Sequence, residues 1–325
     1  MPGATGSDLR GRTVAITGGA RGIGRAIAAQ LAGAGARVAI GDVDLAAAER
    51  TAAELGQNVV ALDVDVSDRA SMDRFVDGAE EALGPLDVMV NNAGILLVGP
   101  FLEEDDAATE RQLAVNVMGV VHGMRAALPR MRERGRGQVV NVASSASWIA
   151  PPNEVTYAAT KHAVLALSDG VRLELAGSGV IVTAVYPGLV ETELSRGTHP
   201  PRATRLITPE EVAAAVLRGI RERRSEVFVP RELAAILRAN RMATSRARIL
   251  LARAFGLGQL TNERTGSDRV GYMRRIGLRP DQAGAEPSGS DGGEAERAAP
   301  ADTAERAAPA ETAERAAPAD SAGDA

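Results

Sequence analysis

The chain has 325 residues, 45% of them hydrophobic but only 2% aromatic, so its core is expected to be built from Ala, Val, Leu and Ile, the diet of a parallel sheet buried on both faces. A net charge of −5 gives no reason to expect nucleic-acid binding. The absence of cysteine excludes disulfides, thiolate catalysis and Cys-ligated metals, and three scattered histidines (His122, His162, His199) make any other metal site unexpected.

In chain order, Met1–Arg12 contains no apolar stretch, so no signal peptide is expected. No run approaches the roughly 18 apolar residues of a membrane span, and a cytoplasmic location is expected. From Thr13 short apolar runs alternate with helical-period segments. Thr13–Thr17, Arg37–Gly41, Val59–Leu62, Val88–Val90, Gln138–Val142 and Val180–Val185 read as strands. Gly24–Ala34, Leu45–Leu55 and Ala70–Leu83 are Ala-rich and amphipathic between them. This alternation predicts an α/β fold, a Rossmann-type doubly wound parallel sheet with helices on both faces. A later helix is announced by Thr208 as N-cap, Pro209 at its first position and Glu211 three residues after the cap. One more strand-like run follows at Glu226–Pro230.

The boundaries expected from this reading are a catalytic domain at 1–230, an Arg-rich helical C-terminal extension at 231–280 and a disordered tail at 281–325. The tail repeats itself: Ala295–Thr303, Ala304–Thr312 and Ala313–Ser321 are near-identical copies with almost no large apolar side chain to offset the entropy of ordering. In the extension, Leu233, Ile236, Leu237, Leu250, Leu251 and Phe255 with their arginines fit two descriptions. One is a helix of 231–257 lying peripherally on an anionic membrane, and the other is a solvated or subunit-contacting helix, which is favoured.

Two motifs carry chemistry. The first is Thr17-Gly18-Gly19-Ala20-Arg21-Gly22-Ile23-Gly24, between a strand and a helix. Glycines there let backbone approach a pyrophosphate seated on the positive end of the helix, although the same residues could serve tight packing alone. Asp42, at the end of the second strand, stands where an acidic residue would bind the adenosine ribose hydroxyls. The second motif is Tyr157-Ala158-Ala159-Thr160-Lys161. Residues four apart share a helix face, and a nearby cation favours a phenolate able to exchange a proton with an alcohol or carbonyl oxygen. By itself the pair reads better as a surface Tyr and Lys without chemistry.

Taken in order, these motifs make the sequence resemble the short-chain dehydrogenase/reductase family from about Gly11 to Thr192. The resemblance rests on the TGxxxGxG loop, Asn91-Asn92-Ala93-Gly94, Asn116, Ser144 in NVAS, Tyr157 with Lys161, and Pro187-Gly188. It implies an NAD(P)-dependent oxidoreductase. Tyr157 would be general acid in reduction and general base in oxidation. Ser144, thirteen residues earlier, would bind the substrate oxygen, with Ser145 its obvious rival. Lys161 would hold the nicotinamide ribose and depress the tyrosine pKa, and Asn116 would hold a relay water. The resemblance also assigns cofactor contacts to Thr17, Gly18, Arg21, Gly22, Ile23 and Gly24 in the first loop. Asp65 and Val66 would flank the adenine, and Asn92, Ala93 and Gly94 would line the adenosine side. Pro187, Gly188, Val190 and Thr192 would cup the nicotinamide.

Asp42 would repel a 2′-phosphate while Arg21 would attract one; the fixed carboxylate is expected to outweigh the mobile guanidinium, favouring NAD over NADP. Walls at Ile95–Phe101, Ala146–Asn153 (with Trp148, which could equally be a packing residue) and Leu189–Ile207 suggest a small hydrophobic alcohol or ketone substrate. Thr198–Leu206 reads as a mobile lid hinged at Thr208. His122 and His162 are expected to be structural. The resemblance implies a homodimer or homotetramer. Two rival readings are an NADPH-dependent 3-oxoacyl thioester reductase and a dinucleotide-sensing binding protein that acts through its extension and tail.

Overall fold

A computed structural model describes residues 8–192 and 205–254 together with 272, 273 and 276, the side chains of 251–254 excepted. Seven parallel strands form one sheet: β1 (Thr13–Thr17), β2 (Arg37–Asp42), β3 (Val59–Asp63), β4 (Leu86–Asn91), β5 (Gly137–Val142), β6 (Val180–Pro187) and β7 (Glu226–Val229). Their order is β3-β2-β1-β4-β5-β6-β7. The order of connection reverses between β1 and β4, the switch point beyond whose strand carboxyl ends open α/β sheets bind their ligands.

Period-2 alternation decides which side chain faces which layer. Val14 and Ile16 of β1 join a core with α1 (Gly22–Gly33), α2 (Leu45–Leu55) and α7 (Pro209–Arg221). Ala15 faces the opposite core, built with α3 (Arg69–Leu83), α5 (Gly119–Glu133) and α6 (Val155–Glu174). Both faces of the sheet are therefore covered, as the uninterrupted apolar runs require. α7 starts on the expected capping box: the Glu211 amide donates to Thr208 Oγ1 at 3.3 Å, and the Thr208 amide donates to Glu211 Oε2 at 3.0 Å.

The region between β4 and β5 holds more than the sequence revealed. α4 (Asp106–Leu113) runs into a π-helical turn, Ala114–Met118, before α5. Asn116 sits in that turn, wholly buried. α1 also begins at Gly22, inside the glycine loop, rather than at Gly24.

Two helices of the extension are described, α8 (Leu233–Met242) and α9 (Ser245–Ala254). The lipid-facing arrangement of Leu233 and Leu237 is corrected. Leu237 is 1% exposed and, with Leu233, packs into the core shared by α3, α5 and α6. Arg238 lies over the Phe228 ring (5.1 Å) and pairs with Glu226 at 2.7 Å, while Arg241 lies over Trp148 (5.3 Å). α8 is thus fastened to the sheet edge with Ile236 facing outward, and Ile249 and Leu250 of α9 are exposed as well. Among the described residues no helix is long and apolar enough to cross a membrane. Phe255, most of the expected lid and the repeat tail lie outside the described residues.

Candidate active site

The glycine loop is held by close backbone approach. A side chain at Gly24 would begin 2.0 Å from the Gly18 carbonyl oxygen, so only glycine fits. Thr17 and Asn92 tie this loop to the exit of β4. The Asn92 and Ala93 amides donate to Thr17 Oγ1 at 3.1 and 3.2 Å, and Asn92 Nδ2 donates to the Thr17 and Gly18 carbonyls at 2.9 and 3.0 Å. α1, like α5, α6 and α8, starts without a side-chain cap, but it alone of these opens on the glycine loop after β1. The glycine loop and the uncapped start of α1 present backbone without side chains in the way, and this cradle fits a pyrophosphate.

Asp42 ends β2 beside the loop. Its carboxylate accepts the Ala20 amide at 3.2 Å and the Asp44 amide at 3.1 Å. Arg21 turns to Asp44, 2.5 Å away. Burial raises the Asp44 carboxyl, but the Ala47 amide and Arg21 together outweigh it and hold the group below its usual range. Asp65 shows the same balance, with burial opposed by Ser67, whose amide and hydroxyl donate at 2.9 and 2.6 Å, and by Arg111 at 3.8 Å; the net shift is downward. Val66 is buried, and its carbonyl lies 3.0 Å from His122 Nδ1. His162 Nδ1 lies 2.9 Å from the Ala158 carbonyl, one turn back on its own helix.

α6 presents Tyr157 and Lys161 on one face, with Lys161 Nζ 5.7 Å from the phenol ring centre. Lys161 donates to the Val142 carbonyl at 3.1 Å, and burial lowers its pKa to about 8. A side chain at Gly94 would begin 3.4 Å from Lys161 Nζ and 3.3 Å from Asn116 Oδ1, so the NNAG turn, the lysine and the asparagine converge. Asn116 grips the backbone of Ile95 from both sides. Its Oδ1 accepts the Ile95 amide, its Nδ2 donates to the Ile95 carbonyl (both 2.8 Å), and Nδ2 also reaches Thr160 Oγ1 at 3.1 Å. Ser144 Oγ accepts the Ala146 amide at 3.1 Å.

The ring of Tyr157 sits in a small apolar cluster with Leu96, Val98, Ala146 and Ala158. Burial drives its pKa above the usual tyrosine range, the Glu154 carboxylate adds to this, and a hydrogen bond with Ser144 works against both. The expected depression of the tyrosine by Lys161 is thus not the dominant effect in the protein alone, because burial disfavours both the phenolate and the ammonium.

Pro187 ends β6. Beyond it Val190 and Ile207 form a bridge, with the Glu191 amide donating to Ile207 O at 2.8 Å, and the Thr192 methyl faces Gly22. Trp148, half-buried, packs edge-on against Tyr186 (5.6 Å) and beside Phe228 (5.7 Å).

Two buried residues were missed by the sequence reading. Glu154, three residues before Tyr157, is 8% exposed, and burial lifts its carboxyl to about 7. Tyr272, far along the extension, reaches Leu96. The apolar spacing of Tyr272, Met273 and Ile276 was the available signal, because a one-turn stripe of this kind marks a helical face that packs.

Segments from the carboxyl ends of β4 and β5 thus meet around a tyrosine–lysine pair, and the glycine loop, tied to the exit of β4, carries Asp42 and Thr192 beside it. Residues 12–203 match the short chain dehydrogenase family. The chain belongs to that family and is an oxidoreductase acting on alcohol or ketone groups. It is 41% identical over 186 residues (57% of this chain, 73% of the relative) to a sorbitol dehydrogenase of Cereibacter sphaeroides. It is 38% identical over 229 residues (68% and 83%) to a 1-deoxy-11-beta-hydroxypentalenate dehydrogenase of Streptomyces exfoliatus. The fold matches a short chain dehydrogenase/reductase from Burkholderia phymatum solved with NAD, at TM-score 0.67 and 29% identity, covering 75% of this chain and 96% of that one.

Proposed function

We propose that the protein interconverts a hydrophobic secondary alcohol and its ketone with NAD(H), using Tyr157 as general base in oxidation and general acid in reduction. The observation that carries this reading is the setting of the Tyr157 ring among Leu96, Val98, Ala146 and Ala158, which offers a reacting alcohol apolar walls. The two relatives named above differ in substrate polarity, one a sugar alcohol and the other a terpenoid acid, so the walls are the better guide.

Bound NAD would supply the acceptor for the carbinol hydrogen and its electron pair. The remaining work falls to the protein's own side chains. Ser144 orients the alcohol oxygen toward the Tyr157 phenol, and Tyr157 takes the hydroxyl proton. Lys161 holds the nicotinamide ribose, and its charge there favours the phenolate. Asn116 fixes Ile95 and its π-turn backs the proton relay. The uncapped start of α1 with Thr17, Gly18, Gly22, Ile23 and Gly24 cradles the pyrophosphate. Asp65, Val66, Asn92 and Ala93 line the adenosine side, and Pro187, Gly188, Val190 and Thr192 the nicotinamide side.

Preference for NAD is supported by Asp42 at the end of β2 and by the attachment of Arg21 to Asp44. A carboxylate there accepts hydrogen bonds from a free 2′-hydroxyl and repels a 2′-phosphate. The test is fluorescence titration with NADH and NADPH of the wild-type protein and Asp42→Ala. Tighter NADH binding, lost by about tenfold in the variant as one charge-assisted hydrogen bond requires, supports the reading. Tighter NADPH binding by the wild type would overturn it in favour of an NADPH-dependent reductase of 3-oxoacyl thioesters.

A further inference from the structure

The wall of the pocket that touches Tyr157 contains a stretch without ladder hydrogen bonds, Ile95-Leu96-Leu97, all three residues buried. Buried backbone amides and carbonyls need partners, and here side chains supply them. Asn116 serves Ile95, and Gln112 Oε1 accepts the Leu97 amide at 3.2 Å. The middle residue is served from the extension. The Leu96 amide donates to the Tyr272 hydroxyl at 2.9 Å, and that hydroxyl donates to the Leu96 carbonyl at 3.3 Å. A phenol can do both at once because it is donor and acceptor together.

Tyr272 is itself 7% exposed, and it packs with Met273 and Ile276 into the same core as Ile95 and Leu97. A second tie holds this segment, since Arg111 Nε donates to the Ile276 carbonyl at 3.0 Å. The side chain of Leu96 points the other way, into the cluster around the Tyr157 ring. The Tyr272 hydroxyl also stands near enough to the Tyr157 phenol to oppose its ionisation. The match to the family ends at residue 203, well before this segment.

We propose that Tyr272 is a positioning residue for the reaction at Tyr157: by clamping the backbone of Leu96 it sets the apolar wall beside the catalytic ring, while Met273 and Ile276 anchor the clamp in the core behind that wall. Bulky apolar secondary alcohols are the substrates that feel this wall, while very small ones do not reach it. The proposal rests on the alcohol–NAD reading of the site.

The test uses the full chain with Tyr272→Phe, which keeps the ring and removes the hydroxyl. Amide hydrogen exchange of the peptide carrying Leu96 is measured alongside kcat and KM for cyclohexanol and 2-propanol with NAD. Loss of Leu96 protection is expected, with kcat/KM for cyclohexanol down by about tenfold, the factor one buried hydrogen bond carries. Loss on 2-propanol should stay under about threefold and NADH binding should not change, so the defect is one of substrate positioning. Unchanged Leu96 exchange would overturn the clamp, and equal losses on both alcohols would reduce it to a structural bond and overturn the positioning role. A wild-type enzyme inert toward both alcohols would instead sink the alcohol–NAD reading, and the exchange measurement would then decide the clamp by itself.

Discussion

The two loops that flank the switch point are held in different ways. The glycine loop after β1 is set by close approach of main chain to main chain, pinned by the nearby side chains of Thr17, Asp42, Thr51 and Asn92. The wall after β4 is fixed by three side chains that arrive from 15, 21 and 176 residues away: Gln112, Asn116 and Tyr272. The first arrangement tolerates almost no added atom, whereas the second can be retuned one side chain at a time. A dinucleotide has one shape to be met, while substrates differ between relatives, and each kind of support suits what it faces.

The largest effect expected at this divide is from Tyr157→Phe, which removes the proton-transferring group and leaves the ring. Turnover should fall by about 10³-fold, within the usual span for general acid–base catalysis, with NADH affinity kept. Full turnover in that variant, measured by NADH absorbance, would move the chemistry to another residue. On the glycine side, Gly24→Ala would force its methyl onto the Gly18 carbonyl. It would also press on Asn92 Nδ2, 2.6 Å from the added carbon, and should lower unfolding stability by about 2 kcal/mol and weaken NADH binding about tenfold. Denaturant titration and ligand fluorescence read the two effects separately, and wild-type binding in this variant would break the distinction between the loops.

The effect sharpest in sign, confined to one pH window, belongs to Glu154. Its carboxyl is raised by burial from 4.5 to about 7, so between these values the folded protein keeps a proton that the unfolded chain releases. Its burial is therefore without electrostatic cost below pH 4.5, and stability is lost as the pH rises to 7, by an amount of order 3 kcal/mol. Lys161 acts in a separate window, above its folded value of about 8, where unfolding takes up a proton and stability rises with pH. Glu154→Gln should consequently raise the melting temperature relative to wild type at pH 7.5 and bring no such gain at pH 4.5. Because the Glu154 charge also raises the Tyr157 pKa, the limb of the kcat/KM profile set by Tyr157, the alkaline fall in ketone reduction where it acts as the acid, should move to lower pH in the variant. A pH-independent difference in melting temperature would refute the buried-charge account.

The same divide explains what could be read from sequence. The order of strands, the Thr208 capping box and the strand-end place of Asp42 follow from local patterns of apolar residues, caps and glycines, and they stand in the structure as read. The π-turn at Asn116 was invisible, because one extra residue in a helical turn leaves no compositional mark. Tyr272 was passed over since nothing local ties it to Leu96. The lipid-facing reading of Leu233 and Leu237 failed because amphipathic spacing specifies that a face is covered and not by what. The upward displacement of the Tyr157 pKa likewise depends on burial, which spacing along a helix does not encode.

The aromatic poverty of the chain has a practical side. Its single tryptophan lies where α8 meets the sheet edge, under Arg241, with Asn240 donating to its backbone carbonyl at 3.4 Å. Emission excited at the red edge therefore comes from one known address. The protein carries its own optical gauge of whether the extension is seated, one that needs no label and no substrate.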